Sequence, residues 1–138
     1  MKQSISFALS LAPMGAQRTR SAGKFHYTPP KYRQWLKDFC DEMQVARRYG
    51  GINIADKVPV QLDVIAIFEI PKSRRAGKNK IKAGEWHIQT PDSDNVTKAV
   101  ADGLTQSGFW PDDAQAAWMS CRKVWGDVAG MEIHVREL

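Results

Sequence analysis

Asp92 and Asp94, with Lys98 four residues on and Asp112-Asp113 beyond, are the residues of this chain best suited to chemistry. They sit in Pro91-Asp92-Ser93-Asp94-Asn95-Val96-Thr97-Lys98 and in Phe109-Trp110-Pro111-Asp112-Asp113-Ala114-Gln115. Like charges held close repel, so such a cluster calls for a neutralising partner. A hard divalent cation such as Mg²⁺, or Mn²⁺ in its place, takes oxygen ligands and keeps several waters. Such an ion can lower the pKa of a bound water and neutralise charge growing on a phosphate. A nearby lysine can stabilise the same charge or protonate the leaving oxygen. No cysteine, serine or histidine nucleophile is needed.

The spacing is suggestive without being decisive. In an extended segment, residues two apart point the same way and lie about 6.5 Å apart along the chain. Asp94 falls in the first turn of an expected helix, where the dipole favours a negative charge. Lys98 follows one turn later on the same side. Asp113 can join the two only if the chain folds back after that helix. An EF-hand is excluded, because its fifth position would be Val96 and no glycine follows. From the residues alone, ordinary caps, turns and surface ion pairs explain the pattern about as well as a metal site does.

The elements that must position these groups follow from periodicity. Ile5, Phe7, Leu9 and Leu11 alternate with small or polar residues, the period of a half-buried strand and not of a secretory segment. Residues 13–27 read as an exposed loop. Thr28-Pro29-Pro30 reads as a helix start, and Tyr32, Trp35, Leu36, Phe39 and Met43 form one apolar face ending near Gly50-Gly51. Pro59 and Pro71 bracket a second strand, Val60 to Ile70. A basic segment without apolar periodicity follows, and it reads as a mobile loop. A helix from about Ser93 to Gln106 is expected, with Ser93 or Asp94 as cap. Two strands, roughly Ala116 to Val124 and Met131 to Val135, close the chain as a hairpin through residues 126–130. The order β-α-β-α-β-β implies an α/β (α+β) fold: a small two-layer sandwich with a mixed four-stranded sheet and two helices.

Composition sets the partners. The 138 residues fit a single domain spanning 1–138, and the 43% hydrophobic content suits a globular core. A net charge of +5 points to a polyanion. Arg18, Arg20 and Lys24 form one basic patch, and Lys72, Arg74, Arg75, Lys78, Lys80 and Lys82 another. Each can contact phosphates or simply be solvated loop charge. Cys40 and Cys121 lack metal-ligand spacing and read as reduced thiols of a cytoplasmic protein. No apolar run approaches the roughly 20 residues that cross a membrane. Phe109 and Trp110 fit a core or dimer interface better than a base-stacking platform. Trp118 and Trp125 read as sheet-face residues, and His87 as a polar contact near the aspartates.

The run Pro91 to Lys98, the Asp102-Gly103-Leu104 continuation and Gly108 to Gln115 closely resemble the RusA family of Holliday junction resolvases. A basic loop at Pro13 to Arg20 and the Tyr27-Thr28-Pro29 segment agree with that layout. Ser93 and Val96 stand where leucine is common, beside the carboxylates and not among them. The resemblance implies that Asp92, Asp94 and Asp113 hold Mg²⁺ and that Lys98 is the catalytic lysine, with Asp112 a possible accessory. It also implies a homodimer making paired symmetric nicks in four-way DNA junctions during recombination and repair, in the cytoplasm of a bacterial or phage-infected cell. Two other readings share these residues: a non-enzymatic, structure-specific DNA-binding protein on the same scaffold, and a metal enzyme acting on nucleotides. The absence of a phosphate-binding Gly-x-x-x-x-Gly-Lys loop weighs against the last.

Overall fold

A computed structural model describes residues 2–50 and 53–138, with the side chains of 48–50 outside the description. Strand β1 (Ser4–Leu9) is followed by a small hairpin, β2 (Arg20–Ala22) and β3 (Phe25–Tyr27). Helix α1 (Pro30–Gly50) and strand β4 (Val60–Glu69) come next. Helix α2 (Ser93–Gln106), β5 (Ala116–Gly126) and β6 (Gly130–Glu137) complete the chain. The main sheet runs β1-β6-β4-β5, with β4 and β5 parallel and the other pairs antiparallel. The expected mixed four-stranded sheet with two helices is therefore present. Gly51, at the expected end of α1, lies outside the described residues.

Two expectations need correction. The loop read at 13–27 contains the β2-β3 hairpin. Its residues are exposed, so no apolar alternation signalled it. The last two strands do not form a hairpin with each other, because β4 lies between them. Residues 127–129 instead cross the end of β4, where Ile70 donates its N–H to the Gly126 carbonyl at 3.0 Å. A short connection between two strands looks the same in sequence whether it turns back on itself or steps over a neighbour.

Alternation sets the layers. Leu62, Val64 and Ala66 of β4 and Ile133 and Val135 of β6 are buried beneath the helices, with Phe39, Val96, Val100 and Leu104 above them. Phe109 and Trp110 are each 1% exposed, so they belong to this core and cannot stack on bases. Ile54 donates its N–H to the Phe109 carbonyl at 2.9 Å, locking that turn to the chain before β4. Gln61, Asp63, Ile65 and Ile67 point away from the helices and are only half-buried.

The basic segment after β4 is more ordered than its composition implies. It opens with a 3-10 turn at Lys72–Arg74 and folds a second apolar cluster of Ile70, Ile81 and Trp125. It then runs along the outer edge of β5. Gly84 donates to the Trp125 carbonyl, Trp125 to Glu85 and His87 to Lys123, at 2.8 to 2.9 Å. This edge pairing delivers the chain to Asp92. No helix is long and apolar enough to cross a membrane among the described residues.

Candidate active site

Helix α2 starts at Ser93 as expected, but its cap is Asp92 and not Ser93 or Asp94. Asp92 occupies the N-cap position with extended backbone, and its side chain makes no capping hydrogen bond. Thr97 instead donates its hydroxyl to the Ser93 carbonyl at 2.8 Å. Asp92 and Asp94 are both exposed, on the chain entering the helix and on its first turn. Their carboxylates are thus available, where a buried or capping aspartate would be committed to its own backbone. Lys98 is exposed one turn further along.

The loop after β1 braces this start from the other side. Ala16 donates its N–H to the Asn95 carbonyl at 3.0 Å. Gly15 packs so closely that an added Cβ would lie 2.8 Å from the Cβ of Pro91. Trp35 holds the same loop through a 2.8 Å bond to the Ala12 carbonyl.

At the far end, Asp112 caps the short 3-10 turn Asp113–Gln115, accepting from the Ala114 N–H at 2.9 Å. One of its oxygens is committed to structure, which separates its role from that of Asp113. Gln115 donates to the carbonyls of Ala55 and Val58 at 2.8 and 3.0 Å, stitching this turn to the chain before β4. Asp113 is exposed. Partial desolvation, then the negative charges of Asp102 and Asp112, raise its carboxyl above the ordinary value, and Lys98 opposes them.

The charges that act on Asp113 are therefore those of Asp102, Asp112 and Lys98. Among the described residues no group of three acidic, histidine or cysteine side chains is close enough to share one ion. Asp92, Asp94 and Asp113 therefore do not form such a group among the described residues. Asp94, Lys98 and Asp102 recur every four residues, so the helix aligns them on one flank between the two ends.

Sequence reasoning undervalued Asp102. The Tyr32 hydroxyl, reaching across from α1, donates to it at 2.6 Å. Burial, then this hydrogen bond and the carboxylate charge, raise the phenol well above its ordinary value, so it remains a donor. Beside this pair a groove of about 430 Å³ is lined by Gln17, Arg18, Thr28, Tyr32, Lys98 and Asp102. The four-residue spacing from Lys98 was the available signal. Tyr32 read only as one more core residue.

The basic residues separate into two kinds. Arg18 shares the groove with Lys98, while Arg20 and Lys24 stand exposed on the β2-β3 hairpin. Lys72, Lys78, Lys80 and Lys82 are exposed after β4. Arg74 donates to the Asn79 carbonyl at 2.6 Å. Arg75 pairs with Glu69 and Asp127 at 3.5 and 3.6 Å, so both arginines make contacts within the structure that the four lysines do not show. His87 is 5% exposed and lies flat on Phe68, ring centroids 3.8 Å apart, with Trp125 at 4.4 Å. Burial, then the charge of Lys123, lower its pKa. It is a neutral member of a packed stack, removed from the surface a substrate would meet.

Comparison with known proteins decides the class. The family profile described as Endodeoxyribonuclease RusA matches residues 10–136. The crossover junction endodeoxyribonuclease rusA of Lactococcus phage r1t is 30% identical over 141 residues, covering 100% of both chains. The chain belongs to the RusA family. The reading made from the aspartate motifs is borne out, and with it the enzyme class: RusA proteins are endodeoxyribonucleases that resolve DNA junctions. In this RusA chain, family membership adds a reaction to the geometry. It does not by itself assign roles to individual carboxylates.

Proposed function

We propose that this chain is a Mg²⁺-dependent Holliday junction resolvase that acts as a homodimer, making paired symmetric nicks in DNA recombination and repair. The observation that carries the reading is the uncommitted Asp92 and Asp94 carboxylates at the start of α2, one turn from Lys98, in a RusA endonuclease. The donor set fits a hard cation. It is all oxygen, solvent-accessible and negatively charged within a chain of net charge +5. Asp92 and Asp94 would hold the ion, with Asp113 joining through movement of the chain or through a second copy of it. When bound, the ion supplies Lewis acidity and a water of lowered pKa.

The remaining work falls to the protein's own groups. Arg18 and Lys98 line one groove and draw the DNA backbone to it by charge. Lys98 stabilises the negative charge that grows as the phosphate is attacked, or gives a proton to the departing oxygen. Asp102, held by Tyr32, keeps a fixed negative charge beside that lysine. Arg20 and Lys24 on the hairpin and Lys72, Lys78, Lys80 and Lys82 beyond β4 extend the phosphate-binding surface. Action on DNA places the protein in the cytoplasm of a bacterial or phage-infected cell.

The deciding experiment is a Mg²⁺ titration with a synthetic four-way junction and a linear duplex of matched sequence, each labelled strand by strand. Metal-dependent nicks at symmetric positions in opposed junction strands are expected, with the duplex intact. Tight binding without cutting would install the binding-only alternative. Lys98→Met should slow junction cutting about 100-fold, the scale of a lost acid or charge stabiliser, with affinity little changed.

The homodimer is supported by the open face of the sheet. Trp118 is 55% exposed there. Trp86 pairs with Val124 at the β5 edge and is 64% exposed, and Ile88, two residues on, is 90% exposed. Half-buried Ile67 and Val124 lie level with Trp86 and Ile65 one step further in, while Asp63, Ser120 and Arg122 separate them from Trp118. Exposed aromatic and aliphatic side chains clustered at one sheet edge are of the kind that marks an interaction site, and a two-fold pair of active sites matches a two-fold substrate. The wild type should sediment as a dimer and the Trp86→Glu, Ile88→Glu double variant as a folded monomer that no longer makes paired nicks. A double variant that stays dimeric removes this face from the interface.

A further inference from the structure

We propose that Lys123 is a positioning residue for cleavage, a clamp that fixes the path of the chain into the catalytic aspartates. The proposal rests on the endonuclease reading above and adds a residue that no motif marks. Lys123 lies on β5, opposite Ala66 in the ladder and therefore on the helix-covered face. Its ammonium donates to the Gln89 carbonyl at 2.6 Å and to the Pro91 carbonyl at 2.7 Å. Its own backbone carbonyl accepts from the His87 N–H at 2.9 Å. One residue thus grips the segment 87–91 at three points.

The need for this grip comes from the topology. Residues 84–87 are paired to the β5 edge by main-chain hydrogen bonds, and the last of these is made by His87. Beyond it the chain leaves the edge to climb onto α2, so the next carbonyls lose their strand partner. Helix bonding begins only with the Val96 N–H on the Asp92 carbonyl at 3.0 Å. Between the end of one ladder and the start of the other, the Lys123 side chain supplies the donors. Bonds from a charged donor are shorter and stronger than neutral ones. Gly15 closes against the Pro91 ring, while Lys123 holds the Pro91 carbonyl. Pro91 is thereby held by both Gly15 and Lys123, and Asp92 is the next residue.

The tight grip matters because a divalent ion tolerates little error in its oxygen ligands. Groups that orient metal ligands from behind typically change metal affinity or activity by about 10- to 100-fold when lost. Lys123→Met keeps most of the stem and removes all three donors. Lys123→Arg keeps charge and donors.

The test combines hydrogen exchange of the metal-free protein with junction cutting. In Lys123→Met, amides in peptides spanning 88–97 should exchange faster while peptides from β4 and β6 are unchanged. The Mg²⁺ concentration that half-saturates cutting should rise by about tenfold. Junction affinity measured in Ca²⁺ should stay near the wild-type value, and Lys123→Arg should recover much of both losses. Wild-type exchange across 88–97 in Lys123→Met overturns the clamp. Exchange raised equally throughout the protein makes Lys123 a general stability residue, and lost affinity with unchanged exchange makes it a DNA contact; either also overturns the proposal. If the wild type itself fails to cut, the endonuclease reading falls, and the exchange result still decides the clamp.

Discussion

Asp94→Asn and Asp92→Asn should each lower the rate of junction cutting by at least about 1,000-fold, equivalent to roughly 4 kcal/mol of transition-state stabilisation. Both carboxylates are exposed and neither makes a capping bond, so the change removes charge without disturbing packing. For Asp94 the only structural loss is a favourable position at the start of a helix, worth about 0.3–1 kcal/mol. That is too little to unfold a domain whose stability is typically about 5–15 kcal/mol. DNA affinity should hold or rise slightly, since each variant removes a negative charge near a polyanion. Single-turnover cutting in Mg²⁺, set beside a gel-shift titration in Ca²⁺, separates the two effects. Full cutting by either variant removes that residue from the metal site. Asp113→Asn is the most informative companion. Within one chain the charges of Asp102, Asp112 and Lys98 act on Asp113, and among the described residues no three acids are close enough to share one ion. An equally severe loss would mean that Asp113 reaches the ion in the working assembly. A small loss would make it part of the Lys98 environment.

What could be read from residues alone was whatever local periodicity encodes. The alternation of Ile5, Phe7 and Leu9, the apolar face of α1 and the bounds of α2 are all local, and each is present. Family resemblance in two short runs was enough to name the enzyme class. What stayed hidden depends on pairing between distant segments. Nothing local tells the chain at Gly126 to pass over β4, because the instruction lies in which strand has already occupied the space between. Lys123 reads as one more surface lysine until the segment 89–91 is seen lying against it. The Tyr32 and Asp102 pair spans two helices far apart in sequence. The basic run after β4 misled for a related reason. Its order comes from only a few apolar anchors, Ile70 and Ile81 against Trp125, too sparse to create a period.

Gly103→Val should destabilise the fold by about 3 kcal/mol or more, the scale of overpacking a closed core together with a β-branched side chain's poorer fit in a helix. Glycine inside a helix normally costs about 1 kcal/mol relative to alanine, so its presence in the middle of α2 calls for a compensating contact. That contact is the Phe39 ring of α1. A Cβ built on Gly103 would lie 2.5 to 2.8 Å from three of its atoms. The ring cannot retreat cheaply, because Phe39 is fully buried and leans on Trp35 at a centroid distance of 5.4 Å. Relief requires α1 and α2 to separate. Separation would draw Tyr32 away from Asp102 and widen the groove that Arg18 and Lys98 share. Thermal unfolding of Gly103→Val should show a midpoint lowered by 10 °C or more, on the usual scale of about 2–8 °C per kcal/mol. Gly103→Ala should fall between it and the wild type. Pairing Gly103→Ala with Phe39→Leu tests the cause directly, since a branched chain without the flat ring leaves room for the added methyl. The double variant should then lose less stability than the two single changes sum to. Additive losses would mean that Gly103 is kept for a reason other than the close approach of the two helices.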